Sequence, residues 1–349
     1  MPGMRLGLLF EYPQGDGGEG FERAVRLGLA EAAIDSAGVE VVRHETLGLP
    51  GGSIANVVAG WDALVADGVD LILGPSISDN CLAARDCADR TRVPAINYSG
   101  GERTRSEWMF HYQIGSLEDE PPLLVARMVE RGFASAVVIH DASVVGERYR
   151  EVFSWAATDA GIAIRAHAAI DPLETDVRTT VDHLLATEPD GFVYLGLGAT
   201  SHAVATAIND SAVNTTGRAV PVLANSALMF GYVRPDWRAD WASWEYIDTI
   251  ADDNAMRAAL NALDAAAAAG PMGCAAFDMG RLVGLAMHRA DRLDAAGLRD
   301  ALERVKQIPA SSGYAGTLMG FGVWDHAALK GPFLVLRAWR DGKTVQVDR

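Results

Sequence analysis

The chain has 349 residues, of which 49% are hydrophobic and 22% charged. That is ordinary globular usage with apolar material for two cores, and it excludes intrinsic disorder. Its 30 Lys and Arg stand against 46 Asp and Glu, a formal charge of −16, which repels phosphate backbones and anionic headgroups and argues against nucleic acid or a membrane surface as partner.

Short β-branched or leucine-rich runs alternate with amphipathic stretches, the pattern of βαβ units and a parallel sheet. Arg5–Phe10 reads as a buried strand, and 21–36 as a helix with Phe21, Val25 and Leu29 on one face. Val39–Val42 is the next strand. Ser53 then caps a helix carrying Val57, Trp61 and Leu64. Asp70–Leu73 forms a strand that stops at Gly74-Pro75, followed by a helix over 80–90 and a strand over 93–97. A second series opens near Glu118: helix 123–131, strand 136–140, helix 148–160, strand 162–168, helix 177–186, strand 191–195, helix 201–210 and strand 220–223. Segment 228–250 shows no period; its Trp237, Trp241 and Trp244 read as core packing, with a place in a ligand pocket as the alternative. Two helices follow, at 255–269 and 277–289. The tail is β-rich, with Asp341-Gly342 as a hairpin turn. The expected fold class is α/β, with two doubly wound parallel-sheet lobes joined by a multi-strand hinge. One lobe comprises 1–117 with 247–312, the other 118–246 with 313–349.

No run reaches the roughly 18–20 apolar residues of a bilayer span, and Leu6–Phe10 is too short for a signal h-region. The three cysteines, Cys81, Cys87 and Cys274, lack metal-site spacing and read as buried thiols. The chain as it stands is therefore expected in the cytoplasm, or beyond the cytoplasmic membrane if a leader has been removed.

Gly15-Asp16-Gly17-Gly18-Glu19-Gly20 spells the dinucleotide fingerprint. However, four residues separate it from the strand, and Asp16 and Glu19 would repel a phosphate, so it reads as a flexible glycine loop. Nucleophile elbows, H-E-x-x-H, the P-loop and S-x-x-K do not occur. His111 and His140 read as structural, and Glu118-Asp119-Glu120 and Asp252-Asp253 as carboxylates favoured by helix dipoles. No catalytic constellation, metal site or cofactor is expected. More informative are polar loops at the carboxyl ends of parallel strands, where α/β sheets bind ligands. These are Gly74–Asp79, Tyr98–Glu102, Asp141–Gly146, Gly196–Thr200 and Asn225-Ser226. The first two expose hydroxyls and backbone N–H groups suited to a carboxylate or carbonyl oxygen.

In its order of motifs the chain resembles type I periplasmic binding proteins of the branched-chain amino acid (Leu/Ile/Val)-binding class. The residues that carry the resemblance are Gly74-Pro75-Ser76-Ile77-Ser78, the crossover 110–122, Val137–Asp141, Phe192–Gly196, Gly270-Pro271 with Phe277-Asp278, Gly320–Asp325 and Trp339–Gly342. The resemblance implies two lobes that close on a small molecule by hinge motion. It also implies a ligand carboxylate held by the Ser78 hydroxyl and a backbone group of Ser99. This sequence departs from the family pattern at three places. Gly101 stands where amino-acid binders have a threonine, Val145 where they have an aromatic, and Ser226 where an acid holds the ligand ammonium. Glu11 and Glu102 are the acids that could supply that charge from elsewhere.

The expected function is a non-enzymatic small-molecule-binding protein for a carboxylate- or amide-type ligand, serving as the solute-binding component of an ABC importer. The alternatives are a cytoplasmic ligand sensor of the amide-sensor type acting on a regulator and, behind it, an NAD-dependent or hydrolytic enzyme. The expected ligand-binding residues are Tyr12, Ser76, Ser78, Ser99, Gly100, Gly101, Val145, Leu195, Gly196, Asn225 and Ser226.

Overall fold

The computed structural model describes residues 3–12, 18–35, 38–215 and 219–347, with 212–215 described by backbone only. The residues group into two compact units, 1–114 with 249–333 and 115–248 with 334–349.

The first unit runs β1 (Met4–Phe10), α1 (Glu19–Glu31), β2 (Val39–Glu45), α2 (Ile54–Ala66), β3 (Leu71–Leu73), α3 (Ser78–Thr91), β4 (Ala95–Ser99) and β5 (Met109–Gln113). Its five strands are all parallel, in the order β2-β1-β3-β4-β5. The second unit runs α4 (Glu120–Glu130), β6 (Ser135–Asp141), α5 (Val144–Asp159), β7 (Ala163–Ile170), α6 (Arg178–Leu185), β8 (Gly191–Leu195), α7 (Ser201–Thr215), β9 (Val222–Ala224) and β10 (Trp244–Asp248). The chain then returns to the first unit with α8 (Ala255–Leu263), α9 (Pro271–Arg289), α10 (Ala295–Leu302) and three short strands, β11 (Ile308–Pro309), β12 (Leu318–Met319) and β13 (Leu329–Lys330). It ends in the second unit with β14 (Val335–Arg340) and β15 (Lys343–Gln346). The second sheet reads β15-β14-β10-β9-β8-β6-β7, with β14 antiparallel to β10 and β15 antiparallel to β14. Leaving out β14 and β15, both units have the doubly wound order 2-1-3-4-5, which places a topological switch point between β1 and β3 and another between β6 and β8.

The α/β reading therefore holds, with differences that have local causes. The start of the crossover 110–122 is a strand the sequence reading did not place: β5, Met109–Gln113, pairs with β4 along its whole length and is buried. Segment 228–250 hides β10, all five residues of which are buried; Trp241 and Trp244 are wholly inaccessible and pack with Tyr194 and Trp339. A strand buried on both faces has no alternation to detect. Residues 313–333, expected with the second lobe, pack in the first unit. The Ala328 N–H bonds His111 O at 2.8 Å, and Gln113 Oε1 accepts the Leu329 N–H at 2.9 Å. Gly15–Gly17 of the glycine loop lie outside the described residues, and Gly18 is the left-handed N-cap of α1 (φ 77°).

Helices α1 and α9 meet through two glycines. A Cβ on Gly28 would stand 2.0 Å from Phe277 O, and one on Gly280 would stand 2.2 Å from Val25 O. Intrinsic propensity alone favours Ala over Gly in a helix by about 1 kcal/mol. Here the added methyls meet backbone, which does not yield as a side-chain tip would. Gly28→Ala and Gly280→Ala are each expected to destabilise the protein by about 1–3 kcal/mol net, read as a lower melting temperature by calorimetry. A raised melting temperature would show that the two helices separate freely.

Candidate functional site

In the first unit, Glu11 follows β1 directly and is buried. Its Oε1 accepts the Ser76 N–H at 2.8 Å, the Ser76 Oγ–H at 2.9 Å and the Ile77 N–H at 2.6 Å. Burial pushes its carboxyl above the ordinary range, against the opposing pull of the Ile77 and Ser76 hydrogen bonds. The donors of Ser76 are thus spent inside the protein. This corrects the expectation that Ser76 grips an anionic head through its hydroxyl. The acid that could have supplied a charge to a ligand is likewise engaged, while Glu102 is exposed at the surface.

Two residues on, the geometry changes. Ser78 opens α3, and its hydroxyl makes no hydrogen bond with another described residue. The first ladder bond of that helix runs from the Cys81 N–H to Ile77 O, so the Ser78, Asp79 and Asn80 N–H groups have no intrahelical acceptor. Gly101 lies directly against Ser78; a Cβ there would sit 3.3 Å from Ser78 Cβ and Oγ. The loop is held from below by the Tyr98 N–H on Pro75 O at 3.2 Å. Ser78 and Gly101 are therefore neighbours.

Ser99 serves that loop from beneath. It is wholly buried, its hydroxyl donates to Asn97 Oδ1 at 3.0 Å, and its carbonyl accepts the Ile114 N–H and His111 Nε2–H. His111 Nδ1 then accepts from Arg105 Nε at 3.1 Å, and burial pushes this histidine down to about 3, so it stays neutral and structural. Tyr12 is partly exposed beyond Glu11.

The second unit repeats the device. Asp141 ends β6 and is buried, and it accepts the Leu197 N–H from the loop after β8. Gly196 is obligatory there, since its Cβ would stand 2.6 Å from Asp141 Oδ1. Asn225 pairs with the same glycine twice, Oδ1 accepting its N–H and Nδ2 donating to its carbonyl. Leu195 is wholly buried at the end of β8, and Val145 is buried in the first turn of α5.

The residue that sequence reasoning missed is Glu120. It was taken for a dipole-favoured acid at a helix start, yet it is fully buried. Its Oε1 accepts the Ser116 N–H at 2.6 Å, the Tyr149 hydroxyl at 3.1 Å and the Ser226 hydroxyl at 3.0 Å; Oε2 accepts the Ser226 N–H at 2.7 Å. All four donors are neutral. Burial accordingly raises the Glu120 carboxyl to about 7, against the lowering pull of these hydrogen bonds.

Two doubly wound units, each with polar loops at its strand ends, define the class of ligand-binding proteins built on the periplasmic-binding fold. The family profile described as periplasmic binding protein matches residues 13–337, and the chain belongs to that family. It is similar in fold to an ABC-transporter solute-binding protein from R. palustris in complex with 4-hydroxybenzoate (13% identity, 99% of this chain and 96% of the other, TM-score 0.82). A solute-binding protein from Rhodopseudomonas palustris BisB5 in complex with 3,4-dihydroxy benzoic acid matches similarly (16% identity, 99% and 97% covered, TM-score 0.80). So does a substrate-binding protein from Desulfitobacterium hafniense in complex with Leu (16% identity, 99% and 99% covered, TM-score 0.77). No significant match was found among curated proteins. Among the described residues no helix is long and apolar enough to cross a membrane.

The folded-state value of Glu120, about 7 against 4.5 normally, means that the native state keeps a proton which the unfolded chain gives up. Stability from this group is present at low pH and falls as pH rises from about 4.5 to about 7, by about 3 kcal/mol in all. In Glu120→Gln that slope is removed, while Glu11 and Asp278, whose carboxyls are also raised by burial, contribute equally to both proteins. Calorimetry across this range is expected to show the variant's stability falling less with pH than the parent's; equal slopes would place the Glu120 proton elsewhere.

Proposed function

We propose that the protein is the solute-binding component of an ABC importer, is not an enzyme, and takes a small carboxylate- or amide-type ligand with an apolar body at its strand-end loops. The observation that carries this reading is the contrast within one loop. Glu11 consumes the donors of Ser76 and Ile77, whereas the Ser78 hydroxyl beside Gly101 makes no hydrogen bond with another described residue. Hydroxyl and helix-start N–H groups in that arrangement suit a carboxylate or a carbonyl oxygen. Family membership supports a binding role, and the aromatic acids carried by two of the similar structures are the first candidates to try.

A free α-amino acid fits poorly. Ser226 stands where the family's acid holds an ammonium, and the nearest carboxylate, Glu120, is already covered by four donors. An ammonium left there without a partner forfeits a charge-assisted bond of about 1.5–3 kcal/mol.

A thermal-shift screen tests the proposal with benzoate, 4-hydroxybenzoate, 3,4-dihydroxybenzoate, short amides, leucine, valine and NAD. A ligand at 100 times its Kd stabilises by about 2.7 kcal/mol. The expected result is a hit among the acids or amides that Ser78→Ala weakens by roughly 10-fold or more, the worth of a hydrogen bond to a charged group. Submicromolar leucine binding, or a response to NAD alone, would overturn it.

A further inference from the structure

The loop after β3 lies against the end of β1, since the Cβ that Gly74 lacks would stand 2.3 Å from Leu9 O. From there it offers three donors to the buried Glu11, the Ser76 N–H, the Ser76 hydroxyl and the Ile77 N–H, and all three fall on Oε1. An oxygen accepting three hydrogen bonds has no place for a proton of its own, so Oε2 carries the proton when the group is neutral. No cation is among these partners. The titratable groups that Glu11 acts on are the Cys81 thiol of α3 and the Tyr98 hydroxyl of β4. Each is pushed well above its ordinary range, by burial first and by the charge of Glu11 next, so both are neutral and supply no counter-charge. Asp79, in the first turn of α3, acts on Cys81 in the same sense, and Glu102 is exposed after Gly101. The loop after β2, whose Gly48 N–H reaches Glu11 O, has no ionisable side chain over 46–49. Arg85, two turns along α3, is held by Asp86 and the Arg103 carbonyl, and Arg103 is exposed beside Glu102.

Ser78 follows directly on Ile77, so a negative charge without a counter-ion is held just behind the hydroxyl that would meet a ligand. In a buried site such a charge repels a second anion over several ångströms. A neutral carbonyl oxygen accepts the same hydrogen bond without that cost. We propose that Glu11 is the specificity-determining residue of the oxygen site at Ser78: it makes this loop take a neutral carbonyl oxygen, as of an amide, in preference to a carboxylate, and it admits a carboxylate only together with a proton, taken from water onto Glu11 Oε2. Burial has already moved the Glu11 carboxyl above its ordinary range, and an arriving anion moves it further in the same direction. Every group involved belongs to the first unit. The inference rests on the ligand class and site given above and narrows two ligand chemistries to one.

Matched acid and amide pairs test it. Benzoate with benzamide, and 4-hydroxybenzoate with 4-hydroxybenzamide, are titrated by calorimetry at pH 6, 7 and 8 in buffers of different ionisation enthalpy. Both acids are ionised across this range, so a proton taken up on binding goes to the protein. At pH 8 the amide is expected to bind about 10-fold or more tightly than its acid, and the acid to bind with proton uptake. Acid affinity should fall by up to about 10-fold per pH unit while amide affinity stays within about 2-fold. Glu11→Gln keeps an oxygen for the three donors and removes the charge. In that variant the acid should come within about 3-fold of the amide and lose both its pH slope and its proton. A merely structural role would weaken acid and amide alike and leave the ratio and the slope unchanged. Asp79→Asn should keep both, and their loss there in place of Glu11→Gln overturns the inference. Where Glu11→Gln does not fold, the parent protein decides alone. An acid bound there at pH 8 without proton uptake, or as tightly as its amide, overturns the inference and leaves the ligand class standing. If no acid or amide binds the parent protein, the ligand class itself fails and takes this inference with it.

Discussion

The loops that leave the carboxyl ends of parallel strands carry backbone N–H groups outside the sheet ladder that need acceptors, and this chain answers several of them with carboxylates of its own. Glu11 after β1 takes two N–H groups from the loop after β3. Asp141 at the end of β6 takes one from the loop after β8. Both acids sit at the switch point of a 2-1-3-4-5 sheet, where doubly wound folds bind ligands. The two units thus use the same topological position in the same way, although no internal sequence repeat betrays it.

The choice has an electrostatic consequence. A buried carboxylate without a cation is costly to ionise unless several donors surround it. Glu120, with four neutral donors, shows the compromise: the bonds hold its value down, burial wins, and it rests at about 7. Asp278 offers the contrast within the first unit. It too is buried, but Arg281 Nη1 stands 3.0 Å from Oδ1 while Tyr112 and the Ser311 N–H cover Oδ2. That acid ties α9 to β5 and the 308–312 segment, and each polar atom of it is answered by structure.

How much of this could be read from the chain depended on periodicity. The alternation of strands and helices was legible because amphipathic helices such as α1 and α4 carry a clear apolar face. The Ser53 cap was legible from its residue type, and its hydroxyl does accept the Asn56 N–H. The strands β5 and β10 were not, because burial on both faces erases alternation. Of the candidate site, the position of Ser78 in the loop after a strand was legible, whereas the commitment of Ser76 to Glu11 joins residues 65 apart in sequence and leaves no local trace. Glu120 was misread for the same reason. A carboxylate in the first turn of a helix has a sufficient local explanation, and only the fold brings Ser226 to it from 106 residues away.

The Ser226 N–H and hydroxyl both go to Glu120, so an acid stands beside position 226 in the second unit, with its oxygens covered by neutral donors. A carboxylate in direct contact with a cation gains a charge-assisted bond outright. One whose oxygens already accept four hydrogen bonds from neutral groups has given that bond away, and burial then decides its protonation, which is why Glu120 rests at about 7.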